Sequence, residues 1–253
     1  MNNSYIYNYN NTMKKNIIIT GGSGRFGVYL KKVKSSHKLF FPNKKELNIL
    51  KPKSIESYLK TKKANIVIHL AGLSRPMDIH NREIEKSIDL NIIGTANVTK
   101  VCSKKNIKLI YFSTNYVYPG TKGNYAETDP LLPVNNYAWS KLGGEASVQL
   151  YKNSLILRVC MTEKPFVHDK AFANVKTSFM YHEDVSKILF RLLNKKGILN
   201  LGGKSKFIFD FAKKEKKNIK KIYLKKKNNL GMPFDSSLNI NKLNKILGLK
   251  KKF

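Results

Sequence analysis

Short apolar runs alternate with helical stretches along the first two-thirds of the chain. Apolar runs bounded by turn residues predict strands at residues 16–20, 38–41, 64–70, 107–112 and 154–158. Helices are predicted between them at 24–34, 53–62, 82–103 and 134–151. Strands separated by helices pair in parallel through crossovers, so the fold class is α/β with a doubly wound parallel sheet. Beyond residue 160 the pattern loosens, with a helix at 181–193, a strand at 197–201 and a terminal helix at 238–249. Met13 looks like a natural start, so the expected organisation is a disordered tail or a misassigned upstream start over residues 1–12, then a sheet domain over 13–160 and a small C-terminal α/β substrate-binding part over 161–253. No internal repeat is visible.

Composition changes this picture little. Of 253 residues, 42% are hydrophobic, which is ample for a core. No apolar run approaches the ~20 residues of a membrane span, and residues 1–12 lack the basic and apolar regions of a secretory signal. Cys102 and Cys160 form no CxxC, so buried thiols in a reducing, cytoplasmic setting are expected, with no metal.

The net charge of +32 suggests a polyanion partner. Only five of the basic residues are arginines, however, and base-reading proteins favour arginine forks. Lysine, asparagine and isoleucine abound together, as in an AT-rich coding bias, so nucleic acid is not the expected partner. The lysine-rich stretch 213–227 is interrupted by Ile219, Ile222, Tyr223 and Leu224, and reads as a solvated helix-and-strand surface.

Chemistry concentrates at the ends of the predicted strands. The first runs into Thr20-Gly21-Gly22-Ser23-Gly24-Arg25-Phe26-Gly27, a G-x-x-G-x-x-G loop opening a helix. Glycines permit the tight turn and the close approach of backbone N–H groups to a diphosphate, and the helix dipole points at it. Gly21, Gly24, Arg25, Phe26 and Gly27 are therefore candidate cofactor contacts in a Rossmann-type domain, together with Leu70, Ala71 and Gly72 after the third strand. His69 reads as an ordinary core histidine. No acid follows the second strand directly, where a ribose 2′-OH would need one; Lys44 and Lys45 stand there, favouring NADPH over NADH.

The fourth strand ends in Ser113-Thr114-Asn115-Tyr116, and Tyr137 precedes Lys141 by one helical turn. A lysine ammonium, helped by the nicotinamide, lowers a phenol pKa, and a phenol so tuned exchanges a proton with a carbonyl oxygen. Thr114 would hydrogen-bond that oxygen, and Lys141 would also hold the nicotinamide ribose.

With these motifs the chain resembles the extended short-chain dehydrogenase/reductases over residues 14–250, most of all the dTDP-4-dehydrorhamnose reductase family. Thr20–Gly27 matches the TGxxGxxG loop, Ser113–Tyr118 the S-T-D-Y-V-F strand end, and Asn91 the superfamily's helix asparagine. The stretch from Tyr125 to Lys141 matches the approach to the active tyrosine, 197–203 matches G-I-Y-N-L-G-G, and 233–238 resembles P-R-D-S-S-L. The resemblance implies NADPH or NADH, a nucleotide-linked 4-keto-6-deoxy sugar, hydride transfer to C4, and Tyr137 as proton donor with Lys141 and Thr114 beside it. Asn91 joins the cofactor set, and Ser74, Asn115, Tyr116 and Arg158 are the expected substrate contacts. Relatives often pair, so a homodimer is possible.

Four departures bear on the substrate. The segment from Arg158 to Tyr181 is short for the family, Val159 stands where a threonine usually follows Arg158, Phe234 replaces an arginine, and Asn115 replaces an aspartate. A nucleotide-sugar 4-epimerase or dehydratase with tightly held NAD is the alternative, the dehydratase disfavoured because Asn115-Tyr116 stand where an Asp-Glu pair is usual. A non-catalytic dinucleotide-sensing or polyanion-binding protein is the second alternative. The group 181–184, YHED, is expected to start a helix and not to hold a metal.

Overall fold

The computed structural model describes residues 13–225 and 231–249. The expected N-terminal tail, and Lys226 and Lys227 of the lysine-rich stretch, lie outside the described residues. The chain begins with β1 (Asn16–Thr20), α1 (Gly27–Lys31), β2 (Lys38–Phe40), α2 (Pro52–Thr61) and β3 (Ile66–His69). Two short helices, α3 (Ile79–Arg82) and α4 (Ile84–Ser87), lead through a π-helical turn, Ile88–Ile93, into α5 (Gly94–Lys104). Then come β4 (Lys108–Thr114), α6 (Asn136–Gln149) and β5 (Ser154–Val159). Four short strands follow: β6 (Met161–Thr162), β7 (Lys170–Phe172), β8 (Lys176–Thr177) and β9 (Met180–Tyr181). The chain continues with α7 (His182–Leu189), β10 (Gly197–Leu201), β11 (Lys206–Phe207), α8 (Ile208–Lys213), β12 (Lys220–Ile222) and α9 (Asn241–Leu247).

Six strands form one parallel sheet in the order β10-β5-β4-β3-β1-β2. Helices cover both faces, so β3, β4 and β5 are buried along their whole length and read as continuous apolar runs. The two-residue period of β1 divides its isoleucines. Ile17 and Ile19 pack with Leu30, Val185, Leu189, Leu243 and Leu247 on one face, and Ile18 packs with Ile55, Leu59, Val98 and Val101 on the other.

The predicted boundary at residue 160 needs correcting. β10 pairs with β5 inside the main sheet, and α7 and α9 belong to its core. The excursion away from the sheet is confined to β7, β8, β11, α8 and β12, around a small core of Phe166, Ala171, Val175, Ile208, Ala212, Ile219 and Leu224. Within residues 213–225 of the lysine-rich stretch, Ile219 and Leu224 are buried in this core while most of the lysines are exposed.

The predicted helix at 82–103 is also interrupted. Its π-helical turn carries Asn91 inward, where the Nδ2 donates to the Leu73 carbonyl at 2.9 Å and to Ser140 Oγ at 2.8 Å. A π turn adds one residue to the local period and so redirects a side chain, a common device beside functional sites. Residues 181–184 start a helix, as read from the sequence, with Glu183 and Asp184 in the first turn of α7 where the dipole favours acids.

Candidate active site

The crevice outside the carboxyl ends of the sheet strands collects the candidate residues, where doubly wound sheets place their ligands. Thr20, His69 and Thr114 close strands β1, β3 and β4 on this edge. His69 is 1% exposed, its Nδ1 2.8 Å from Thr20 Oγ1 and its Nε2 3.2 Å from Thr95 Oγ1. Burial lowers its pKa to about 3, so it is a neutral core histidine.

The glycine loop is folded tightly enough to exclude side chains. Gly21 has φ +69°, and a Cβ there would lie 2.6 Å from the Ala71 nitrogen. A Cβ on Gly27 would meet the Gly22 oxygen at 2.5 Å, so α1 can pack against the loop only through a glycine. The Gly24 N–H donates to the Gly21 carbonyl at 2.9 Å, closing the turn. Gly72 lies so near Asn91 that a Cβ would stand 2.6 Å from Oδ1, and the Ala71 N–H donates to Thr20 Oγ1 at 3.2 Å. The cradle thus fits a dinucleotide diphosphate against bare backbone. Gly21→Ala is expected to cost about 1–3 kcal/mol for its backbone conformation, with a further displacement of residues 70–71. Thermal melting and NADP+ titration of the variant check this, and an unchanged dinucleotide affinity would count against the cradle.

Phe26 is a correction to the expected contacts. Its ring packs on Phe112 with centroids 5.2 Å apart, inside the core, which leaves only its backbone to a ligand. Lys44 and Lys45 stand exposed in the turn after β2. The one acid of that turn, Glu46, accepts the Asn43 N–H at 2.9 Å, closing the turn.

α6 brings the reactive pair to the crevice. Asn135 caps it, its Oδ1 accepting the Ala138 N–H at 2.8 Å, so Tyr137 sits in the first turn. The Thr114 side chain reaches the Tyr137 phenol. Burial is the largest influence on that phenol and raises its pKa, while Thr114, Arg25 and Arg75 pull it back. His80, 1% exposed, places its ring 5.1 Å from that of Tyr137, and its Nδ1 lies 2.7 Å from Ser87 Oγ.

Lys141 differs from the expectation that it tunes Tyr137 as an ammonium. Its Nζ lies over the Tyr111 ring, 4.2 Å from the centroid, and burial lowers its pKa to about 7 against the partial opposition of Glu145. Between about pH 7 and the ordinary lysine value of 10.5, the folded chain binds fewer protons here than the unfolded chain. Folding stability contributed by this residue therefore rises with pH across that window. Lys141→Met is expected to raise the melting temperature at pH 7 and flatten its pH dependence between pH 7 and 10 while abolishing turnover. A lower melting temperature would contradict this.

Two of the expected substrate contacts are structural. Arg158 is 2% exposed: Nε and Nη2 donate to Glu145 Oε1 at 3.1 and 2.7 Å, and Nη1 to the Tyr118 hydroxyl and the Glu127 carbonyl at 2.8 and 3.0 Å. Asn115 is 4% exposed and donates to Ser236 Oγ at 2.9 Å, fastening the 233–238 segment beneath the strand end. Ser74 remains at the crevice and accepts from Arg25 Nη2 at 3.1 Å. Tyr116 lies close enough to Tyr137 and Arg75 to feel both, with its own pKa raised by burial. Sequence reading missed Arg75, Glu163 and His80, which come from loops and a four-residue helix without a motif.

Cys102 and Cys160 are buried free thiols with pKa values pushed up to about 12, unsuited to nucleophilic work. Among the described residues no group of three or more His, Cys, Asp or Glu is arranged to hold a metal ion, and no helix is long and apolar enough to cross a membrane.

Sheet order, glycine cradle and strand-end site together define a doubly wound α/β protein built like the NAD(P)-dependent reductases. Residues 13–162 match the model of the RmlD substrate binding domain, and the chain belongs to that family. A Bacillus anthracis dTDP-4-dehydrorhamnose reductase, solved in complex with NADP, superposes with a TM-score of 0.82 at 23% identity, covering 94% of each chain. A hypothetical dTDP-4-dehydrorhamnose reductase from Sulfolobus tokodaii superposes at 0.80 with 25% identity, covering 91% of this chain and 94% of that one. Among curated sequences, the Xenopus laevis methionine adenosyltransferase 2 subunit beta is 34% identical over 114 residues, 45% of this chain and 34% of that protein. The dTDP-4-dehydrorhamnose reductase of Aggregatibacter actinomycetemcomitans is 28% identical over 151 residues, 58% of this chain and 51% of that protein. The chain thus spans between about a third and a half of the length of these curated relatives.

Proposed function

We propose that the chain is an NAD(P)H-dependent reductase of a nucleotide-activated 4-keto-6-deoxy sugar, working in the cytoplasm in deoxysugar and surface polysaccharide synthesis. The observation that carries this reading is the Tyr137 phenol within reach of Thr114 and of the field of Arg25 from the glycine loop, with Lys141 one helical turn further along α6. Gly21, Gly24 and Gly27 would hold the diphosphate, with Leu70, Ala71 and Gly72 along its path and Asn91 bracing that loop. Lys44 and Lys45 favour a 2′-phosphate, hence NADPH, and the Bacillus anthracis relative was solved with NADP.

When bound, the dinucleotide supplies the hydride. Thr114 and the Tyr137 phenol orient the C4 carbonyl, and the phenol gives its proton to the oxygen as negative charge develops there. Arg25 and Arg75 ease the loss of that proton by favouring the phenolate. An ammonium at Lys141 would hold the nicotinamide ribose. NADPH consumption with 4-keto-6-deoxy sugars on dTDP, UDP and GDP carriers tests the proposal, with NADH in parallel. Turnover with one carrier supports it; none with any carrier overturns it.

A second reading draws on the curated relative that is a subunit of methionine adenosyltransferase: a dinucleotide-binding partner protein without turnover of its own. It predicts NADP+ binding that Tyr137→Phe leaves unchanged, and no NADPH oxidation.

A further inference from the structure

In a chain with 43 lysines and five arginines, the arginines mark places where a fork matters more than a charge. Arg158 holds the buried pair with Glu145. Arg25 and Arg75 converge on one atom. Arg25 Nη1 lies 3.3 Å and Arg75 Nη1 3.5 Å from Glu163 Oε1, across three different loops. Arg25 comes from the glycine cradle, Arg75 from the loop after β3, and Glu163 from the residue after β6.

The cluster is poorly satisfied. Charge-assisted bonds normally run at about 2.7–2.9 Å, and both of these are longer. Among the described residues Arg75 makes no other hydrogen bond, and Arg25 adds only Ser74 Oγ. The arginine side chains are 44% and 42% exposed, against 15% for Glu163. Two guanidinium groups repel each other here, and one carboxylate leaves a net positive charge whose field reaches the Tyr137 phenol. Most of their N–H donors have no acceptor among the described residues, and both side chains are partly open to solvent.

We propose that Arg25 and Arg75 form a clamp for a ligand diphosphate, with Glu163 as the internal anion that the ligand exchanges against. A diphosphate offers several oxygens to two forks, where Glu163 offers one oxygen to both. The chemistry is shared by a dinucleotide and a sugar nucleotide, so the experiment uses both. The clamp rests on the reductase reading only in assuming that such ligands enter this crevice.

The test is calorimetric titration of NADP+ and, separately, dTDP into the wild-type chain, Arg75→Gln, Glu163→Gln and Lys187→Gln. Lys187, an exposed residue of α7, controls for loss of one charge. Arg75→Gln is expected to weaken one ligand about tenfold and to shallow its salt dependence. Glu163→Gln is expected to tighten the same ligand several-fold, and Lys187→Gln to change neither. A merely structural ion cluster would move both variants in the same direction. The ligand that responds identifies the source: NADP+ the cofactor, dTDP the substrate. If neither affinity moves, or if Glu163→Gln weakens binding, the clamp is wrong. If the affinities move as expected while no carrier sugar is reduced, the clamp stands and the reductase reading falls.

Discussion

Tyr137→Phe is expected to lower turnover at least a hundredfold while NADP+ affinity and melting temperature stay close to wild type. The substitution removes one oxygen from a half-buried side chain and leaves the ring against His80. Positioned proton donors contribute about 10²–10⁴-fold to rate, and the phenol is the group that Thr114, Arg25 and Arg75 act on together. Neither the glycine cradle nor the Asn135 cap of α6 depends on that oxygen. Steady-state kinetics of NADPH oxidation, paired with NADP+ titration, read the two effects separately. A variant that retains a tenth or more of wild-type turnover would remove Tyr137 from the proton step. A variant that no longer binds NADP+ would mean that the phenol holds the ligand.

The largest stability effect is expected at Glu145→Ala. Its carboxylate takes two bonds from Arg158 on one oxygen and the Ser113 hydroxyl at 2.6 Å on the other, with Glu145 3% exposed. The guanidinium beneath α6 would then be left charged, buried and without its counter-ion. Removing one partner of such a pair costs about 3–5 kcal/mol. At ~2–4 °C per kcal/mol for a chain of this size, the melting temperature should fall by roughly 6–20 °C. Differential scanning calorimetry checks it. A change under ~2 °C would show that water or a moved side chain satisfies Arg158. Because the pair ties β5 to α6 under Tyr137 and Lys141, turnover should fall with it, and it should recover in part in Glu145→Gln, which keeps an acceptor for the guanidinium.

Legibility in the sequence followed the range of the interactions. β1 and its glycine loop were readable because a local run of isoleucines and three glycines specify them within a dozen residues. Tyr137 and Lys141 were readable because one helical turn relates them. The assignment of Arg158 failed for the opposite reason: its partner Glu145 comes from another element, and nothing local marks an arginine as internally paired. Asn115 failed likewise, since it bonds Ser236 across 121 positions. The boundary expected at 160 falls elsewhere because β10 returns to the sheet beside β5 after the excursion through β7 and β8. The π turn around Asn91 was invisible because hydrophobic spacing reads helical on either side of it. Arg75 and Glu163 lie in loops, where periodicity gives no signal, and only the folded chain brings them to one point.

Isotope transfer would show whether this crevice passes hydride to a sugar carbonyl. NADPH carrying deuterium at the reactive C4 position would be incubated with the chain and a 4-keto-6-deoxy sugar nucleotide, and the product analysed by mass spectrometry. One deuterium on the new carbinol carbon and one NADP+ formed for each product molecule are expected. Unlabelled product without net NADP+ would point to an epimerase recycling its own cofactor. Bound NADPH that is never oxidised, with any carrier, would contradict the reductase reading outright.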